Sequence, residues 1–129
     1  MTPRILAKKI AKITLSKKAT DVVILDIKKL TTMTDYFVIC SASSNTQVRA
    51  IADEIIDEMK EIDKSHVQGE GYTEGSWVII DLFNIVVHIF QVDARNYYDI
   101  EKLWEDAKRE IIVDKPVVKK KKASTRKKK

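Results

Sequence analysis

The sequence predicts a single α/β domain, of the α+β kind, in which a central mixed β-sheet is flanked by helices. Two short runs of β-branched and apolar residues, DVVILDI (21–27) and DYFVICS (35–41), read as strands buried on both faces, so the sheet they build must be covered on each side. Two further strand-like runs, residues 76–82 and 85–92, stand only two residues apart. Stretches with apolar residues at helical spacing precede, separate and follow these runs. At 129 residues with 44% hydrophobic content, the chain can bury one core but not two ordinary ones.

In chain order, Thr2 and Pro3 make a helix start, a hydroxyl cap followed by a proline whose missing N–H costs nothing at the first helical position. Leu6, Ile10 and Ile13, with Ala7 and Ala11 alongside, give residues 3–17 one apolar stripe and a basic opposite face, and Lys17 and Lys18 sit where a helix C-terminus favours cations. After the two buried strands, Ser44 with Gln47 three residues on resembles a capping box. Val48, Ile51, Ala52, Ile55, Met59 and Ile62 follow at helical spacing, with Asp53, Glu54, Asp57, Glu58 and Glu61 as the solvated side. Gly69 and Gly71 mark residues 66–72 as a short strand or loop entering the sheet.

In the next strand Trp77, Ile79 and Asp81 share one face, and Val78, Ile80 and Leu82 the other. In the strand after it, Val86, His88 and Phe90 oppose Ile85, Val87 and Ile89. Phe83 and Asn84 form the connection, where Asn tolerates the positive φ of a hairpin turn and Phe is a poor fit. Arg95, Tyr97 and Tyr98 fall in a turn, and from Asp99 a last helix is expected with Ile100, Leu103, Trp104, Ala107 and Ile111 on its buried stripe. Ordered structure is expected to end at Pro116, so the folded domain is residues 1–114 and residues 115–129 form a basic, disordered tail.

Charge is divided between these two parts. The net charge of +5 conceals nine Lys or Arg and no acid in residues 115–129, against 15 bases and 19 acids, a net of −4, in residues 1–114. A nucleic-acid-binding domain carries its basic footprint on the fold, whereas here it is concentrated in the tail. The apolar runs are far shorter than the roughly 20 residues of a membrane span, and lysines interrupt any N-terminal apolar stretch, so no membrane partner and a cytoplasmic location are expected. The single Cys40 agrees with that compartment, since it has no disulfide partner in the chain.

Little in the sequence points to catalysis. Cys40 lies in an apolar strand and reads as a buried packing residue, and His66 sits in a polar segment without a role. Asp21 with Asp26, or Asp81 with Asp93, could be paired as a magnesium site, but no D-x-D spacing occurs in a strand, so neither a metal nor a catalytic residue is assigned. His88 interrupts an apolar strand. Either it is half-buried and satisfied by an acid such as Asp81, or its face is open and Trp77 or Leu82, with His88 and Phe90, forms an exposed aromatic patch of the kind that recognises proteins. Arg95 either pairs with Asp99 or Glu101 to fix its turn or, with Tyr97 and Tyr98, belongs to a binding centre.

Taken as an ordered set, DVVILDI, TDYFVICSASSNTQVRAIAD (34–53), GSWVIIDLFNIVVHIF (75–90) and ARNYYDIEKLWEDA (94–107) resemble the bacterial ribosomal silencing factor family, also called Iojap, over residues 18–108. Phe83 and Asn84 depart from the polar or glycine-type residues usual at that hairpin tip. The resemblance implies a fold similar to the nucleotidyltransferases without their catalytic acids, no cofactor and no small-molecule substrate, and a homodimer when free. It further implies binding to the large ribosomal subunit through ribosomal protein L-fourteen, which obstructs joining of the small subunit and represses translation under nutrient limitation. Strand alternation then places the partner contact on Trp77, Asp81, Leu82, His88, Phe90, Arg95 and Tyr98. The tail bases Lys119, Lys120, Lys121, Lys122, Arg126 and Lys127 are candidates for contact with ribosomal RNA, beside the plainer role of a solubilising extension. The competing readings are a nucleotidyltransferase-like enzyme, which needs a carboxylate pair, and an RNA-binding module, which needs bases and aromatics interleaved on the domain itself.

Overall fold

The computed structural model describes residues 2–62, 67–82 and 84–113. The expectations for His66, Phe83, Pro116 and the tail bases from Lys119 to Lys127 lie outside these residues. The element order is α1 (Pro3–Ser16), β1 (Thr20–Asp26), β2 (Tyr36–Ala42), α2 (Asn45–Lys60), β3 (Gln68–Glu70), β4 (Trp77–Leu82), β5 (Ile85–Gln91), α3 (Val92–Tyr98), α4 (Ile100–Leu103) and β6 (Lys108–Ile112). The strands form one sheet in the order β3-β4-β5-β2-β1-β6. Only the central β2/β5 pair is parallel, and all the others are antiparallel, so the sheet is mixed. The parallel pair follows from chain reversal through α2, which carries the chain back along one face before β3 begins.

Both helix starts follow the sequence. Thr2 accepts a hydrogen bond from the Ile5 N–H at 3.2 Å, and Ser44 Oγ accepts one from the Gln47 N–H at 3.1 Å. The capping box is not reciprocal within the pair, because Gln47 Oε1 accepts from the N–H and hydroxyl of Ser43 while its amide donates to the carbonyls of Lys17 and Lys18. The side chain that would close the box on α2 instead ties α2 to the end of α1.

The sheet is covered on both sides, as the apolar runs of β1 and β2 require. On one face, Ala7, Ile10 and Ile13 of α1 and Val48, Ile51 and Ile55 of α2 pack on Val22, Val38, Val78, Ile80, Leu82, Val87 and Ile89. On the other, Val23, Leu25, Ile27, Phe37, Ile39 and Phe90 form a smaller core capped by Ala94, Ile100, Trp104 and Ala107. Cys40 is fully buried in the larger core, and burial pushes its thiol up to about 12, so it is an inert packing residue as expected.

The C-terminal part corrects the sequence reading. The expected turn at residues 95–98 is α3, and the expected long helix stops almost at once. Asp99 takes a left-handed conformation (φ 46°), α4 lasts four residues, and Lys108–Ile112 pairs with β1 as an edge strand. Ile100 and Trp104 do face the core, but Leu103 is 80% exposed and Ile111 stands on a strand. The open edge of β1 supplies five residues with a hydrogen-bonding ladder that outweighs the local helical spacing.

Candidate functional site

The second face is not capped throughout. On it β4 and β5 show Trp77, Ile79, Asp81 and Val86 to solvent to varying degrees, with His88 and Phe90 buried. The antiparallel register sets Trp77 opposite Phe90, Ile79 opposite His88 and Asp81 opposite Val86. Trp77 anchors this strip. Its ring stacks on Phe90 (centroids 4.9 Å) and meets Tyr98 of α3 (4.7 Å), and Tyr98 in turn makes an edge contact with the exposed Tyr97. The result is an apolar strip with exposed acids beside it, Asp81 on β4 itself and Glu70 of β3 opposite Ile79.

His88 is buried and its partner is not Asp81. Trp77 Nε1 donates to His88 Nδ1 at 3.2 Å, and the imidazole packs edge-on against Phe37, which itself meets Trp104. Asp81 lies across from Val86 instead, and is exposed. Because Nδ1 accepts, the neutral ring carries its proton on Nε2, a buried atom with no hydrogen-bond partner among the described residues. Burial pushes the imidazole pKa down to about 4, so the ring is neutral at pH 7.

Arg95 resolves in favour of the turn-fixing role. Its Nε and Nη2 donate to Glu101 at 2.8 and 3.1 Å, its Nη1 donates to the Asp21 carbonyl and to Ser41 Oγ, and its side chain is only 10% exposed. Arg109 of β6 reaches the same carboxylate at 2.7 Å. One bracket therefore ties α3, α4, β1, β2 and β6 together, and the hydrogen bond from Arg95 holds the Glu101 carboxyl below its ordinary range.

Of the sequence-derived contact residues, Trp77, Asp81 and Tyr98 reach the surface, and Trp77 meets Tyr98. Four do not fit an exposed patch, His88 among them at 7% exposure. Leu82 points to the opposite face into the larger core, Phe90 is 0% exposed under Trp77, and Arg95 is engaged in its bracket. His88 supports the strip from below. Sequence reasoning placed Ile79 and Val86 on the correct face but left them out of the contact set, and strand alternation alone was signal enough to include them. The bracket was missed as a unit: Arg95 gathers Asp21 and Ser41 from two strands far away in the chain, and Arg109 arrives only because β6 joins the sheet.

Among the described residues, no three His, Cys, Asp or Glu side chains converge as a metal site, and no helix is long and apolar enough to cross a membrane. A family model described as "Ribosomal silencing factor during starvation" matches residues 1–129. The chain is 45% identical over 91 residues to the ribosomal silencing factor RsfS of Bacillus subtilis, which covers 70% of this chain and 77% of that protein. A crystal structure of a Chromobacterium violaceum protein superposes with a TM-score of 0.78 at 32% identity, covering 88% of this chain and 95% of the other. A second, from Bacillus halodurans, gives 0.68 at 38% identity, with 78% and 94% covered.

Proposed function

We propose a function from one premise: the chain belongs to the ribosomal silencing factor family. The protein binds the large ribosomal subunit through ribosomal protein L-fourteen and stands where the small subunit must dock, so that translation is repressed when nutrients are scarce. The observation that carries this reading is the uncovered strip of Trp77, Ile79, Val86 and Tyr98 with the acids beside it. Aromatic and aliphatic side chains fixed on a sheet, with few rotamers left to freeze, provide the apolar centre of a protein interface, and those acids favour encounter with a basic ribosomal protein. No bond is made or broken in such a mechanism. Occupancy of the joining face is sufficient.

In this reading the tail bases Lys119–Lys122, Arg126 and Lys127 add salt-sensitive attraction to ribosomal RNA, and the free chain is a homodimer. The test is co-sedimentation of the full chain with purified large subunits, comparing wild type with Trp77→Ala and Tyr98→Ala. Loss of binding by both variants, each with an unchanged circular dichroism spectrum, is the expected outcome. Full binding by both removes the strip as the contact. Deleting residues 115–129 and repeating the titration across a salt series isolates the tail, and an unchanged slope removes its RNA role.

A further inference from the structure

Within the mildly acidic domain, charge is segregated once more. Residues 1–18 hold six bases (Arg4, Lys8, Lys9, Lys12, Lys17 and Lys18) and no acid, while residues 19–114 hold nine bases against 19 acids. The fold brings the first basic segment beside the origin of the second. α1 packs over β1 and β2 and is tied to the edge strand β6 by Arg4 and Lys8, which reach the two carboxylate oxygens of Glu110 at 3.1 and 3.4 Å. β6 ends with Ile112 paired to Val22, close to where α1 hands over to β1, so the chain leaves Val113 for its nine C-terminal bases next to the end of this helix. The aromatic strip lies on the opposite face of the sheet.

Between α1 and α2 runs a groove of about 510 Å³, lined by Ile5, Ile13, Lys8, Lys9, Lys12 and, from α2, Glu58. Lys9 and Lys12 are exposed and have no ion-pair partner among the described residues, whereas two of their neighbours share the single Glu110. From this we infer that the outward face of α1 is a phosphate-binding surface for RNA, with Lys9 and Lys12 on the phosphates and Arg4 and Lys8 flanking them. A row of cations one helical turn apart on a rigid helix neutralises a phosphate backbone without reading sequence. A lipid surface fits less well, because a membrane-lying helix must offer its apolar face, and here Ala7, Ile10, Ala11 and Ile13 are buried in the core. The inference rests on the ribosome-binding reading for where that RNA is found, and it makes the domain two-sided, with protein recognised on the acidic strip and RNA on the basic helix.

The test uses the full chain, wild type and Lys9→Gln/Lys12→Gln, titrated against a short RNA duplex over a salt series. The same proteins, with Trp77→Ala, are titrated against isolated ribosomal protein L-fourteen and against phosphatidylglycerol vesicles. The expected result is a fall of about two in the slope of log K against log salt for RNA, with L-fourteen binding unchanged in the lysine variant and lost in Trp77→Ala. An unchanged RNA slope overturns the inference, as does tighter, lysine-dependent binding to vesicles or loss of L-fourteen binding by the lysine variant. Failure of the wild-type chain to bind L-fourteen overturns the function proposed above, whatever the RNA slope shows.

Discussion

The indole N–H of Trp77 donates to Nδ1 of His88 at 3.2 Å, joining the half-buried anchor of the apolar strip to an imidazole that burial keeps neutral. This pair makes stability depend on pH in a stated direction. His88 titrates at about 4 in the folded chain and near 6.5 when unfolded, so between those values the unfolded state binds a proton that the folded state does not. Stability is therefore full above about pH 6.5 and falls as pH drops toward 4, by about 3 kcal/mol in total. Urea unfolding at intervals across that window, for wild type and His88→Phe, measures it. The difference between the two curves must slope in the window, and parallel curves would refute the assignment.

The same hydrogen bond has a coupling energy. Trp77→Phe keeps an aromatic ring over Phe90 but removes the donor, leaving Nδ1 of a buried histidine without its partner, at a cost of about 1–2 kcal/mol. In a cycle of Trp77→Phe and His88→Phe, the double variant should lose less than the sum of the singles, by on the order of 1 kcal/mol. Strict additivity in urea unfolding would mean the contact contributes nothing.

Glu101→Gln tests the bracket beneath α3 and α4. It removes the negative charge facing Arg95 and Arg109 while Arg95 stays buried, and breaking a largely buried pair on one side costs about 3 kcal/mol. The wild-type carboxyl is held low chiefly by the Arg95 hydrogen bond, so its contribution is present above the ordinary glutamate value of about 4.5 and is lost as pH falls through the lower folded value. The gap between wild type and Glu101→Gln in thermal unfolding should be wide at pH 7 and narrow in strong acid.

How much of this was legible in the sequence depended on whether a feature was local. The caps at Thr2 and Ser44, the burial of both faces of β1 and β2, and the face assignments of Trp77, Ile79 and Asp81 all follow from spacing within a few residues. The fate of Leu103 and Ile111 does not. Their spacing from Ile100 and Trp104 suits a helix, and only the vacant edge of β1, more than 80 residues earlier in the chain, makes residues 108–112 a strand. The exposure expected of Phe90 is absent for a related reason. Alternation assigns Phe90 to the Trp77 face, but that Trp77 itself covers Phe90 is a matter of packing between strands and α3.

The approach to β4 is set by backbone conformation. Gly71 has φ of 98°, and a Cβ there would stand 2.1 Å from the carbonyl oxygen of Trp77. Arg49 locks the loop that follows by donating to the carbonyls of Tyr72, Thr73 and Glu74. Gly71→Ala should therefore cost at least about 1–3 kcal/mol from the strained backbone and displace the start of β4. Reduced large-subunit binding together with a lower Tm is expected, and an unchanged Tm would show that the loop adapts freely.

Ile79 and Phe90 distinguish the surface of the strip from its support. Ile79 is half-buried, lies between Trp77 and Asp81, and faces the buried His88 across the strand pair, so Ile79→Asp places a charge at the apolar centre of the proposed contact while its carboxylate still reaches water. That variant should fold with a loss within about 1 kcal/mol and bind large subunits at least tenfold more weakly, since an unpaired charge desolvated at an interface costs 2 kcal/mol or more, by order of magnitude. Phe90→Ala removes a fully buried ring beneath Trp77 and should cost about 3–5 kcal/mol of stability. Its binding should recover toward wild type when measured on the folded fraction at low temperature, provided Trp77 keeps its place against Tyr98. Co-sedimentation and urea unfolding on both variants separate the two effects. Tight binding by a well-folded Ile79→Asp would move the contact off this strip, whatever Phe90→Ala does.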